Sequence, residues 1–182
     1  MDIAGPPPDA EVVARVLGGD AEAFGFVIRR YEASLLRFAT RMLGSNGDAE
    51  DAVAESFVRA YRHLASCREP ARLRTWLYRI VANRCKSHLS RRLRGEVSFD
   101  EAPPVADPAD NEAGLERAEQ LSLVQRALLQ LSPEKRAAFV LKHVEGLSYE
   151  EMAAITGDRV PTLKMRVYRA REALLKLLED YE

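Results

Sequence analysis

Apolar residues recur along this chain at three- and four-residue steps, separated by charged ones, almost from end to end. Phe24, Ile28, Tyr31, Leu35, Phe38 and Met42 mark one face of a long helix that Asp20 is predicted to cap and Gly44 to end. A short helix over Glu11 to Leu17 precedes it, closed by Gly18-Gly19. Asp48 is expected to restart the chain, with Val53, Phe57, Ala60 and Leu64 inward and Asp51, Glu55 and Arg59 outward on a helix reaching about Ala65. Ser66 to Arg74 contains Pro70 and reads as a loop. Thr75 is then expected to cap a helix from Trp76 to about Arg94. Leu77, Ile80 or Val81, and Leu89 would point inward, while Arg79, Arg84, Lys86, Arg91 and Arg92 point outward. No stretch alternates with the two-residue period of a strand, so the predicted fold class is all-α.

The periodicity stops after Gly95. Residues 96–113 contain Pro103, Pro104 and Pro108 and read as a flexible linker between a first domain at 10–95 and a second at 114–182. The second domain is expected to open with a helix from about Leu115 to Leu131. Ser132-Pro133-Glu134 then starts another, whose apolar face is Ala137, Val140, Leu141 and Val144, with Gly146 at its end.

Two further helices close the chain. Ser148 and Glu151 have the spacing of a capping box, in which each side chain serves the other's backbone amide. Gly157 suits the left-handed turn that ends such a helix, and Pro161 suits the first position of the next. There Val160, Leu163, Val167, Ala170, Leu174 and Leu177 form the apolar stripe, and Lys164, Arg166, Arg169 and Arg171 lie off it. A short capped helix, a tight turn and a longer helix with a basic outer face make a helix-turn-helix of the kind that enters the DNA major groove. A helical hairpin with a solvated basic face is the bland alternative.

Charge favours the first reading. The formal net charge is -1, yet the charges are segregated. From Arg59 to Arg94 eleven basic residues are opposed only by Glu69, and from Glu96 to Glu119 eight acidic residues face only Arg117. A basic block of this size neutralises phosphates and makes affinity salt dependent.

The remaining composition excludes other classes. No run approaches the ~20 apolar residues of a membrane span, and the first residues have neither the basic head nor the apolar core of a secretory signal, so a cytoplasmic protein is expected. Cys67 and Cys85 have no metal-type spacing with the histidines and read as reduced thiols. His63, His88 and His143 fall on separate helices without matching carboxylates, and no Gly-rich phosphate loop occurs. Catalytic residues, metal and cofactor are therefore all expected to be absent.

Three segments carry a family resemblance: Asp48-Ala49-Glu50-Asp51-Ala52-Val53-Ala54-Glu55-Ser56-Phe57-Val58-Arg59-Ala60-Tyr61, then Thr75-Trp76-Leu77-Tyr78-Arg79-Ile80-Val81-Ala82-Asn83, and Gly146-Leu147-Ser148-Tyr149-Glu150-Glu151 with Tyr168-Arg169-Ala170-Arg171. In this order, across an acidic linker, they resemble a bacterial RNA polymerase sigma factor of the extracytoplasmic-function type, from about Asp20 to Leu178.

The resemblance implies a protein that binds the clamp of RNA polymerase core and carries it to promoter DNA. It implies core contacts at Asp48, Asp51, Glu55, Phe57 and Arg59, with Phe57 left open between core packing and contact. Contacts to the minus 10 element fall on Arg74, Arg79, Asn83, Arg84, Lys86, Arg91 and Arg92. The loop from Cys67 to Arg74 would help capture a base flipped from the non-template strand. Trp76 reads either as a core residue or as a stacking platform. Minus 35 contacts fall on Thr162, Lys164, Met165, Arg166, Tyr168 and Arg169. Arg159, Pro161 and Met165 depart from the family pattern, so the preferred DNA sequence is expected to differ. The resemblance also implies an anti-sigma factor as a partner and a monomer when free. A stand-alone dimeric helix-turn-helix regulator is the alternative.

Overall fold

Eight α-helices make up a computed structural model that describes residues 6–96 and 112–179, with the backbone alone for 112–119. They are α1 (Asp9–Leu17), α2 (Phe24–Leu43), α3 (Asn46–Arg62), α4 (Leu73–Leu93), α5 (Glu112–Gln130), α6 (Pro133–Phe139), α7 (Tyr149–Thr156) and α8 (Val160–Glu179). No strand occurs among the described residues. Residues 97–111, most of the expected linker, lie outside them.

In the first half, α2, α3 and α4 pack mutually, and α1 lies on α2. Phe24, Leu35, Phe38 and Met42 of α2 are buried, as the periodicity required. Phe38 meets the Tyr78 ring edge-on at 5.6 Å, a geometry that aligns ring edge and face quadrupoles. Asp9 ties α1 to α2 by accepting from Arg30 and from the Tyr31 hydroxyl.

Several boundaries move. Asp20 caps a 3-10 turn at Ala21–Ala23 that leads into α2. α3 is capped by Ser45, whose hydroxyl accepts from the Asp48 amide, so Asp48 belongs to the first helical turn. The expected loop before α4 is mostly helical, with a 3-10 turn at Pro70–Arg72, and α4 starts at Leu73. Thr75 is therefore a buried residue inside α4 and not its cap. Leu73, itself fully buried, draws the helix start back by anchoring that turn in the core.

In the second half, α6 continues as a π turn over Val140–Val144. The wider turn rotates the apolar face, burying Ala138, Val140 and Leu141 while Val144 emerges. The capping box forms in full: Glu151 donates its amide to Ser148 Oγ at 3.1 Å, and the Ser148 amide donates to Glu151 Oε2 at 2.7 Å. Gly157 takes φ +79°, and Pro161 is the second residue of α8, not the first.

The halves also touch. α7 packs on α4, while α5 and α6 contact α2. The contact is close enough at Gly44 that a Cβ there would lie 2.6 Å from Leu129 Cδ1.

Candidate nucleic-acid interface

On α4, Trp76, Ile80, Asn83 and Ser87 recur at steps of four, three and four, and so form one strip. On α3 the strip facing it is Glu55, Arg59 and Arg62. Between them lies an open groove of about 1080 Å³. Asn83 is exposed on its wall, where a carboxamide presents both donors and an acceptor. Trp76 is half-buried: one side packs against the core and another lines the groove.

The basic residues expected around this groove differ in availability. Arg79, Lys86 and Arg91 are exposed. Arg84 reaches across the groove to pair with Glu55, so it fixes the spacing of the two walls as well as carrying charge. Arg92 corrects the expectation of an outward side chain. It is largely buried, donating to the Leu43 carbonyl at 2.8 Å and pairing with Asp48, which also lies 3.4 Å from His88 Nε2. A single residue step, about 100° of helical phase, separates Arg91, which faces solvent, from Arg92, which clasps the end of α2. Arg74 is half-buried and donates to the Glu145 carbonyl at 2.8 Å.

The α3 residues divide the same way. Asp51, Glu55 and Arg59 are exposed at four-residue steps along one face. Asp48 is engaged with Arg92. Phe57 is buried and edge-on to Phe24 at 6.4 Å, so of the two roles left open for it the structure favours core packing. The apolar side chains that do reach the surface beside the charged face are Val58 and Tyr61, 50% and 44% exposed. Sequence reasoning passed over them; their signal was that both lie off the Val53, Phe57, Ala60, Leu64 stripe.

The second basic surface is on α8. Leu163, Val167, Ala170 and Leu174 are buried, which turns Thr162, Lys164, Met165, Tyr168 and Arg169 to solvent. Met165 and Tyr168 are 49% and 58% exposed, an unusual pair of large side chains to leave in water. Tyr168 is held by a 2.7 Å bond to Glu172, which raises the pKa of its hydroxyl. Arg166 is partly withdrawn by its pair with Asp158 in the turn. Lys142 and Lys164 both lie over the Tyr149 ring, at 4.7 and 5.6 Å, tying the start of α7 to α8.

These two surfaces coincide with two recognised regions. Residues 27–95 match the model of sigma-70 region 2, and residues 121–174 match that of sigma-70 region 4. The RNA polymerase sigma-H factor of Pseudomonas aeruginosa is 34% identical, over 94% of this chain and 94% of that protein. This chain belongs to the sigma-70 family. It is a sigma factor of the extracytoplasmic-function type, being 36% identical to the sigma-E factor of that type from Escherichia coli K12, over 91% of this chain and 92% of that one. Among solved structures, CnrH in complex with the cytosolic domain of CnrY matches with TM-score 0.72 at 25% identity, covering 96% of this sigma factor and 99% of CnrH. The sigma factor RpoE from Bartonella quintana, solved with the anti-sigma factor NepR, matches with TM-score 0.72 at 29% identity over 87% and 98% of the two chains.

Among the described residues of this sigma factor, no helix is long and apolar enough to cross a membrane. None of them forms a group of three or more His, Cys, Asp or Glu able to hold a metal ion. Cys85 is fully buried, and burial pushes its thiol up to about 12.

Proposed function

We propose that this sigma factor binds RNA polymerase core through the exposed face of α3 and directs it to promoters. In this reading α8 takes the minus 35 element and the α3–α4 groove takes the melted minus 10 strand. The observation that carries it is the presence, in one chain of this family, of three exposed surfaces of matching chemistry, two of which meet along α3 at Glu55, Val58 and Arg59. Asp51, Glu55 and Arg59 with Val58 and Tyr61 offer a charged face around apolar anchors, which suits a helix-on-helix contact. Asn83 supplies a base-edge reader within a groove flanked by Arg79, Lys86 and Arg91. Lys164 and Arg169 suit base edges or phosphates, and Met165 offers apolar contact to a thymine methyl.

The division of labour would follow 10–95 for core and minus 10, and 114–182 for minus 35. The protein would act without chemistry of its own, in the cytoplasm where the polymerase works. A protein inhibitor is part of the proposal, because the similar sigma factor RpoE was solved with its anti-sigma factor.

Size-exclusion chromatography with and without polymerase core tests this directly. The chain should elute as a monomer alone and co-elute with core when mixed. A stable dimer that ignores core would instead make it a stand-alone regulator.

A further inference from the structure

Arg59, Arg62, Arg79 and Arg84 all line the α3–α4 groove, and among the described residues of that lining Glu55 is the one acid. A carboxylate is out of place there. A nucleic-acid strand carries a negative phosphate at every nucleotide, and a like charge beside its path opposes its entry. The charge of Glu55 is taken up by Arg84, which reaches over from α4 to pair with it. The pair crosses the groove beside Asn83, the preceding residue of α4. The phosphates of a strand held at Asn83 therefore meet an arginine that is already neutralised.

Glu55 faces a second demand. It lies four residues from Asp51 and four from Arg59 on the exposed face of α3 proposed to meet the polymerase. Val58 and Arg59 of that face also line the groove, so the rim of the groove and the edge of the face are built from the same residues. While paired, the Glu55 side chain stays 54% exposed and that of Arg84 38% exposed. Ion pairs so open to water are weak, and their members change partners at little cost. A cationic group on the polymerase can take Glu55, and a phosphate can take Arg84.

We propose that Glu55 couples the two surfaces: in the free chain it holds Arg84 back from the strand, and a basic side chain of the polymerase that takes Glu55 releases Arg84 to a phosphate. The coupling rests on the sigma reading above, and it specifies a cation as the polymerase group opposite Glu55. Such coupling is reciprocal, so a strand that takes Arg84 raises the affinity for core by the same factor. An exposed pair limits that factor to about two- to five-fold.

A pair that did no more than brace the two walls would behave differently. Breaking it from either side would then loosen the groove and weaken what binds there. In the coupled arrangement each single substitution frees the other member. Arg84→Gln leaves Glu55 to the polymerase, and Glu55→Gln leaves Arg84 to the strand.

The test uses the full chain, both single variants and the double variant, with helical circular dichroism as the fold control. Core affinity is read by titrating each chain, labelled at its amino terminus, with polymerase core in the absence of DNA. Arg84→Gln should bind core about three-fold more tightly, and the gain should disappear in a Glu55→Gln background. Strand affinity of the chain alone is read by fluorescence anisotropy with a mixed-sequence single-stranded DNA of about 12 nucleotides, from about 50 to about 200 mM salt. Glu55→Gln should steepen the salt dependence by about 0.7, the slope of one further phosphate contact, and should leave it unchanged in an Arg84→Gln background. Core binding that is weakened or unmoved by Arg84→Gln, or a salt slope unmoved by Glu55→Gln, would overturn the coupling while the sigma reading stands. A wild-type chain that binds no core would overturn both.

Discussion

Asn83 stands exposed on the groove wall between the half-buried Trp76 and the Arg84–Glu55 pair, with its carboxamide unconstrained by the core. In the proposed role this side chain reads a base of the melted strand. Asn83→Ala should therefore slow promoter opening roughly ten-fold, the equivalent of one good base contact, while closed-complex binding changes less than two-fold. Equal losses in both steps, measured by permanganate footprinting and by filter binding, would make Asn83 structural. Tyr78 gives a second residue-level expectation. Burial, and then its bond to Glu145, pushes the hydroxyl from 10.0 up to about 12. The folded chain thus holds this proton more tightly than the unfolded chain. Its contribution is complete below pH 10 and is lost as pH rises toward 12. The thermal midpoint should fall across that window, and Tyr78→Phe should make the fall shallower; identical slopes would show that the Tyr78 hydroxyl contributes nothing to it. Tyr31 and Cys85 are shifted in the same direction and remain in the variant. Phe57 and Arg92 show what single positions conceal. Both have the residue type that a contact needs, and only tertiary packing decides that one fills the core and the other clasps the end of α2.

At the scale of helices, features that rest on neighbours three or four residues apart were readable directly. The Ser148–Glu151 capping box is such a case, because both partners lie within one turn and the sequence holds the whole interaction. Ser148→Ala should cost about 1 kcal/mol and lower the midpoint by roughly 2–4 °C for a chain of this size, as differential scanning calorimetry would register. No change would mean that packing on α4 and α8 fixes α7 without the capping box. The misplaced starts of α3 and α4 have the opposite origin. Asp48 and Thr75 are good capping types, but Ser45 precedes one, and the buried Leu73 draws the other helix back past the loop. The π turn after α6 has no local signature either. It became apparent only from Val144, which the three-four pattern set in the core and the structure leaves 37% exposed.

Across the whole molecule, the sequence separated two helical halves by an acidic, proline-bearing break, and the three exposed surfaces could be assigned to helices before any coordinates. Their mutual arrangement could not. Tyr78 and Glu145, or Arg136 and Met42, are joined by geometry across large sequence separations, and each residue has an equally plausible local role. The charged face of α3 belongs to this scale because the partner proposed for it is another protein. Asp51→Ala with Glu55→Ala should weaken core binding about ten-fold and leave helical circular dichroism unchanged; unaltered affinity in a pull-down would remove α3 from the interface. The central claim is that this chain makes promoter choice for the polymerase. Its most direct test is transcription of a pooled genomic-fragment library by core polymerase, with and without the chain, read out as mapped transcript starts. Transcripts from a discrete set of starts sharing upstream elements, present only when the chain is added, are the predicted result. The same starts with and without it, or none above background, would contradict the account.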